Sequence, residues 1–160
     1  LQERTIPLLA TQQPVVASDL RLCTVVTAIA GELERIGDYA NTIAKRVRQA
    51  TRRPALLTPP PQIYEMGRLA VKMVNTSLQA FLRQDADLAH SLTADDERVD
   101  ELEDQLRAEI IAAAQADPAL FEAAVDMIDL TRALERSADR ATNIAERVIY
   151  LTTSTLETIN

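Results

Sequence analysis

Two segments of this chain are near copies of each other. Residues 33–47 and 134–148 lie 101 positions apart and are identical at nine of fifteen positions without a gap. Self-similarity at one fixed offset indicates a duplicated structural unit. Each copy contains two acids with i,i+4 spacing, which a helix stacks on one face. These acid pairs are Glu34/Asp38 and Glu135/Asp139.

The composition favours an all-α fold. Apolar residues make up 47% of the chain, there are only 3 glycines and no tryptophan, and no segment alternates as a strand would. The net charge of −7 argues against a nucleic-acid partner. No apolar run reaches the roughly 18 residues that a membrane span needs. A single cysteine, Cys23, is typical of a reduced, cytoplasmic protein.

Apolar periodicity and capping signals predict five helices separated by short loops. Their expected spans are about residues 1–12, 18–51, 62–84, 87–115 and 118–153. Between the second and third helices, the proline-rich residues 53–61 predict a linker.

The 101-residue offset also predicts how these helices are grouped. It makes the second helix equivalent to the fifth and the first equivalent to the fourth, and it leaves the third without a counterpart. The simplest completion is a tandem repeat of antiparallel three-helix bundles, the first truncated at its N-terminus. We therefore expect residues 1–52 to be the remainder of the first bundle and residues 62–160 to form the second. The chain is then the remainder of a longer protein.

The acid pairs are expected beside the apolar seam of their helices. On a helical wheel, the seam of the second copy contains Leu134, Ala138, Ala141, Ala145 and Val148, with the acids about 80–140° away. Stacked acids repel each other, so an opposite charge must compensate. Local ion pairs are one explanation, since three arginines lie three residues from an acid. These pairs are Arg35–Asp38, Arg132–Glu135 and Arg136–Asp139.

A third acid pair favours a bound cation instead. Asp96 and Asp100 have the same spacing, and residues 95–104 contain seven acids. Carboxylates from facing helices hold metal ions in bundle cores, and oxygen ligands suit hard or borderline cations. A solvated acidic surface is the alternative that this pattern leaves open.

At these residues the chain resembles the PhoU family of phosphate-signalling regulators. The resemblance spans essentially the whole chain and rests on three kinds of segment. These are the two hallmark segments at residues 32–38 and 134–146, the helix junction at 12–21, and the acidic motif at 96–102. The family's further acidic motif would precede Leu1.

The resemblance implies a cytoplasmic, often dimeric regulator that represses phosphate-starvation genes. It implies two partners, a phosphate-sensing histidine kinase and the ATPase subunit of the phosphate transporter. It also implies bound metal, with iron, zinc, magnesium and manganese as candidates. The ligand candidates carried over are Glu34, Asp38, Asp96, Asp100, Glu135 and Asp139.

An enzyme is not expected. The chain has one histidine and one cysteine 67 positions apart, and its three glycines form no phosphate-binding loop. Two other interpretations stay open beside the soluble adaptor. The chain could be the cytoplasmic PhoU-like domain of a sodium–phosphate cotransporter, or a structural helical bundle without metal.

Overall fold

The computed structural model describes residues 17–53, 55 and 57–159, and all elements within them are helical. The elements in chain order are α1 (Ala17–Ala50), α2 (Pro61–Arg83), α3 (Ala86–His90), α4 (Thr93–Ala116), a 3-10 turn (Pro118–Leu120) and α5 (Phe121–Thr153). The predicted all-α fold is confirmed. The helix predicted at 1–12 lies outside the described residues, and the predicted domain division stays a prediction.

Three of the helices form a bundle around one apolar core. Helices α2, α4 and α5 contact one another, and α3 lies against α2 and α5. The largest fully buried core side chains of this bundle are Met66, Met73, Leu92, Leu102, Leu106, Ile110 and Ile149. Helix α5 contributes small side chains where the helices meet, and Ala138, Ala141 and Ala145 are all fully buried. The apolar seam predicted for this helix is therefore the one that packs.

The long helix α1 lies antiparallel along α5. Arg46 near the C-terminal end of α1 contacts Asp126 near the start of α5, with Nη1 and Oδ1 3.2 Å apart. Farther back on α1, Glu32 contacts Arg140, with Oε2 and Nη1 3.4 Å apart. The two repeated segments therefore lie on neighbouring helices that run in opposite directions.

The helix predicted at 87–115 is interrupted, and in this respect the prediction was wrong. Asp85 caps α3 by accepting a hydrogen bond from the Leu88 backbone N–H at 2.9 Å. The Ser91 hydroxyl donates to the Leu88 carbonyl at 2.7 Å, and the Thr93 hydroxyl donates to the His90 carbonyl at 3.0 Å. Such hydroxyls compete with helical backbone hydrogen bonds, which accounts for the break between α3 and α4.

The proline-rich linker ends where the sequence predicts a helix start. Pro61 is the first residue of α2, and proline is favoured there because the first helical N–H has no partner to lose. At the other end of α2, Gln84 adopts a left-handed backbone with φ 52° and closes the helix. None of the described helices is both long enough and apolar enough to cross a membrane.

Candidate metal site on the acidic face

Carboxylates from α4 and α5 lie close together where these two helices pack. On α4, the apolar residues Val99, Leu102 and Leu106 are buried in the core, and Asp100 and Glu103 beside them lie near Glu135 of α5. On α5, the buried alanine seam brings the backbone close to α4. We call the resulting set of side chains the acidic face; its members are Asp96, Asp100, Glu103, Glu135, Asp139 and Glu146.

Asp96 is the most buried member of the acidic face. Only 7% of this residue is exposed, and its Oδ1 accepts a hydrogen bond from the Thr142 hydroxyl at 3.0 Å. Burial is the main cause that raises the pKa of Asp96, and nearby carboxylates, Asp100 first among them, raise it further. Thr142 was not among the predicted site residues. Its position on the same side of the helical wheel as Glu135 and Asp139 was a signal that could have found it.

Glu135 is the member whose charge is most disfavoured. Burial, followed by repulsion from Asp139 and Glu103, raises the pKa of Glu135 to about 7. A hydrogen bond from the protonated Glu135 carboxyl to Asp139 raises the pKa of Glu135 further. Burial and the Asp139 carboxylate likewise raise the pKa of Asp100. Glu103 was missed from sequence because its i,i+4 neighbours are not acids.

The local ion pairs that could have neutralised these acids are not formed. Arg35 contacts Glu32 and not Asp38, with Nη1 and Oε1 3.4 Å apart. Arg132 and Arg136 form no ion pair with any carboxylate of the described residues. The explanation by i,i+3 pairing therefore fails.

Two other arginines lie at the edge of the acidic face. Arg107 pairs with Glu103 on the same helix, and Arg140 approaches Asp139 with Nη2 and Oδ2 3.9 Å apart. Arg140 is shared, because its Nη1 also contacts Glu32. Two guanidinium groups against six acids leave most of the negative charge uncompensated.

The first acid pair is separate from this face. Glu34 and Asp38 are exposed on α1, and neither is among the carboxylates that raise the pKa of Glu135. Of the six predicted ligands, the structure therefore brings four close together on α4 and α5, and leaves two on α1.

The donor chemistry of the acidic face suits a hard cation. The face offers partly buried carboxylate oxygens that repel one another, and an ion between them would relieve that repulsion. Asp100, Glu135 and Asp139 are the side chains that would hold the cation. Asp96 lies beside them and accepts a hydrogen bond from Thr142. In their present rotamers, no three acidic, histidine or cysteine side chains of the described residues converge tightly enough to hold an ion. The metal site stays a prediction.

The metal-free protein is expected to lose stability as the pH rises from about 5 to about 8. The folded-state pKa of Glu135 is about 7 against an ordinary 4.5, so the folded protein favours the neutral carboxyl. Its ionisation therefore destabilises the fold as the pH rises through this window, and the raised pKa values of Asp96 and Asp100 act in the same direction. After a discount for solvent screening, we expect a decrease of about 1–2 kcal/mol in the free energy of unfolding. Urea unfolding titrations at several pH values between about 5 and about 8 measure this decrease.

The matched variant is Glu135→Gln, which removes the titrating group at nearly the same size. Its unfolding free energy should depend on pH clearly less than that of the wild type. An equal pH dependence in both proteins would show that the pKa of Glu135 is not raised to about 7 in the folded protein.

The chain is similar to one protein family and to several named proteins. The PhoU domain model matches residues 1–47 and 63–148. A PhoU homolog of Pseudomonas aeruginosa, named as a phosphate-specific transport system accessory protein, is 38% identical over 156 residues, covering 97% of this chain and 64% of the relative. The accessory protein PhoU of Escherichia coli is 29% identical over 153 residues, covering 94% of this chain and 61% of the relative.

Solved structures show the same fold. The crystal structure of PhoU from Pseudomonas aeruginosa matches with a TM-score of 0.87 and 37% identity, covering 96% of this chain and 73% of that one. PhoU from Streptococcus pneumoniae, described as a phosphate transport system regulatory protein, matches with a TM-score of 0.83 and 32% identity, covering 96% and 70%. The chain belongs to the PhoU family.

The matches bear on one further expectation. The relatives are named as accessory and regulatory proteins, in agreement with the expectation that the chain is not an enzyme. The chain spans 64% of the length of the Pseudomonas aeruginosa relative.

Proposed function

We propose that this chain is part of a metal-binding regulator of phosphate uptake and phosphate-starvation signalling. It acts as an adaptor in the cytoplasm, as a homodimer, between the ATPase subunit of a phosphate transporter and a sensor histidine kinase. The names of its relatives support the connection with phosphate transport. No observation on the described residues favours a cotransporter domain over this adaptor.

The observation that carries the metal-binding part is the uncompensated charge of the acidic face. Desolvated carboxylates of α4 and α5 face one another, and the nearest arginines are engaged at the edge with Glu103, Asp139 and Glu32. An isolated acid would instead point into water, where its repulsion is screened. The arrangement disfavours the metal-free state at neutral pH and favours any state in which a cation binds.

A cation on this face would act structurally. It would tie α4 to α5 by linking Asp100 to Glu135 and Asp139, and it would supply no chemistry beyond charge neutralisation and cross-linking. Helix α1 also packs along α5. A metal-dependent change in the α4–α5 packing would therefore affect both predicted bundles. This gives the adaptor a fixed surface for its partners.

Removing carboxylates from the acidic face should abolish metal binding. Purified wild-type protein is expected to bind a divalent or trivalent metal that raises its melting temperature. The variants Asp100→Ala and Asp139→Ala should lose most of the metal and most of the stabilisation, because each removes a ligand. Elemental analysis and thermal unfolding measure both. In cells that depend on the full-length protein, the same variants should derepress phosphate-starvation genes.

The control removes the same charge elsewhere on α4. Glu97→Gln and Glu109→Gln replace exposed carboxylates that take no part in the acidic face. Both variants should keep the metal and the wild-type response. If the purified wild-type protein contains no metal and added cations do not raise its melting temperature, the metal-binding proposal fails. The chain would then be a structural bundle only.

A further inference from the structure

A small pocket between α1 and α5 concentrates positive charge in an otherwise acidic protein. Its volume is about 230 Å³, and three arginines, one from α1 and two from α5, contribute to its lining. The remaining lining residues are Tyr39 and Thr42 from α1 and Asp129 and Ala133 from α5. Three guanidinium groups around one small cavity are unexpected in a chain with net charge −7. We call this feature the arginine pocket.

One of the three arginines is already neutralised. Arg46 extends one nitrogen to Asp126 and the other to Asp129, with Nη2 and Oδ2 of the latter pair 2.6 Å apart. Asp129 is the one carboxylate among the pocket-lining residues, and this contact occupies it. Arg46 is thereby fixed in place, and the only negative group of the pocket is balanced.

The other two arginines are exposed and form no ion pair with a carboxylate of the described residues. Arg132 and Arg136 are four residues apart on α5, which places them on one face of the helix. The acids three residues after each of them, Glu135 and Asp139, belong to the acidic face, and neither arginine pairs with its acid. The N–H donors of these two guanidinium groups therefore form no ion pair with a carboxylate of the described residues. Two such groups at one pocket form a receptor for an oxyanion.

The wall opposite these arginines is also polar. Tyr39 and Thr42 lie three residues apart on α1, and both are among the residues that line the pocket. The Thr42 hydroxyl donates its one proton to the Asp38 carbonyl at 3.0 Å, so it offers no donor to an anion. The phenol of Tyr39 can donate to an anion. Both helices therefore contribute polar groups to the same cavity.

We propose that the arginine pocket binds a small tetrahedral oxyanion, with inorganic phosphate as its ligand. The cavity volume is below the range of about 300–1,000 Å³ that drug-sized ligands occupy, which favours one phosphate group over a nucleotide. Bidentate contacts from Arg132 and Arg136 match the geometry of phosphate oxygens. The site is distinct from the acidic face, since none of its lining residues belongs to that face. Phosphate binding at the arginine pocket therefore does not depend on metal binding at the acidic face.

The test is phosphate binding by chelator-treated protein, measured by calorimetry at constant ionic strength. Chelator treatment removes metal ions that would themselves bind phosphate, and constant ionic strength keeps electrostatic screening the same throughout the titration. Wild-type protein should bind phosphate saturably at concentrations up to about 10 mM, as expected for a few charge-assisted contacts in a partly open pocket. The double variant Arg132→Ala/Arg136→Ala should bind at least about tenfold more weakly.

Two further variants keep the test specific. Arg48→Ala/Arg52→Ala removes an exposed arginine pair with the same spacing away from the pocket, and it should bind phosphate within about twofold of the wild type. Arg132→Lys/Arg136→Lys keeps the charge but not the fork, and its affinity should fall between those of the wild type and the alanine double variant. Equal losses in the two alanine double variants, or no saturable binding by the wild type, would overturn the proposal. Circular dichroism confirms that each variant is folded.

Discussion

Asp126→Ala should lower the free energy of unfolding by about 2–4 kcal/mol, because it leaves two guanidinium groups without their shared anion. Asp126 is 2% exposed on α5 and accepts from Arg46 at 3.2 Å and from Arg53 Nε at 2.9 Å. Arg46 comes from α1 and Arg53 from the segment that follows it. The variant therefore removes the buried one of the two carboxylates that hold Arg46 of α1 to α5, and the contact with Asp129 remains. Urea unfolding followed by circular dichroism measures the effect.

The control for this prediction is the other acid that Arg53 contacts. Glu122 is exposed on the first turn of α5, with 72% of its side chain in solvent. Glu122→Ala should change the unfolding free energy by less than about 1 kcal/mol, as is usual for a surface ion pair. Similar losses of unfolding free energy in the two variants would mean that the ion pairs of the buried Asp126 stabilise the protein no more than a surface ion pair does.

Leu102→Ala should lower the unfolding free energy by about 3 kcal/mol, because it leaves a cavity in the core of the α2–α4–α5 bundle. Leu102 is fully buried, and its neighbours in sequence are Glu101 and the acidic-face residue Glu103. The same side chain therefore stabilises the core and positions the acids of α4. Chemical unfolding measures the loss of stability, and metal titration is expected to show weaker binding.

Leu82→Ala is the matched substitution on the surface. Leu82 lies near the end of α2 with 79% of its area exposed, so its replacement should cost less than about 0.5 kcal/mol. A loss for Leu102→Ala no larger than this would contradict the packing of α4 against the bundle.

Much of the fold could be predicted from periodicity. Apolar residues recur every three or four positions along the helices predicted at 18–51, 62–84 and 118–153, and the observed helices α1, α2 and α5 agree with them within a few residues. The break between α3 and α4 was missed because helical periodicity continues on both sides of it. Only the short side chains Asp85, Ser91 and Thr93 signal the break, and their capping competes weakly with helix propensity.

The candidate site was only partly predictable. Spacing on a wheel singled out Glu135 and Asp139 beside an apolar seam, and the same i,i+4 spacing singled out Asp96 and Asp100. Which acid pairs would come together depends on how helices pack, and wheels carry no such information. Contacts between distant residues were missed for the same reason: the Thr142–Asp96 hydrogen bond spans 46 positions and the Arg46–Asp126 pair spans 80.

If the carboxylates of α4 and α5 share one cation, that cation should be visible in a crystal. The most direct measurement is anomalous diffraction from a crystal of this protein grown with Mn²⁺. The account predicts an anomalous peak between α4 and α5, with oxygens of Asp100, Glu135 and Asp139 about 2.0–2.3 Å from it. A map with no peak on the acidic face, while these three carboxylates are well ordered, would contradict it.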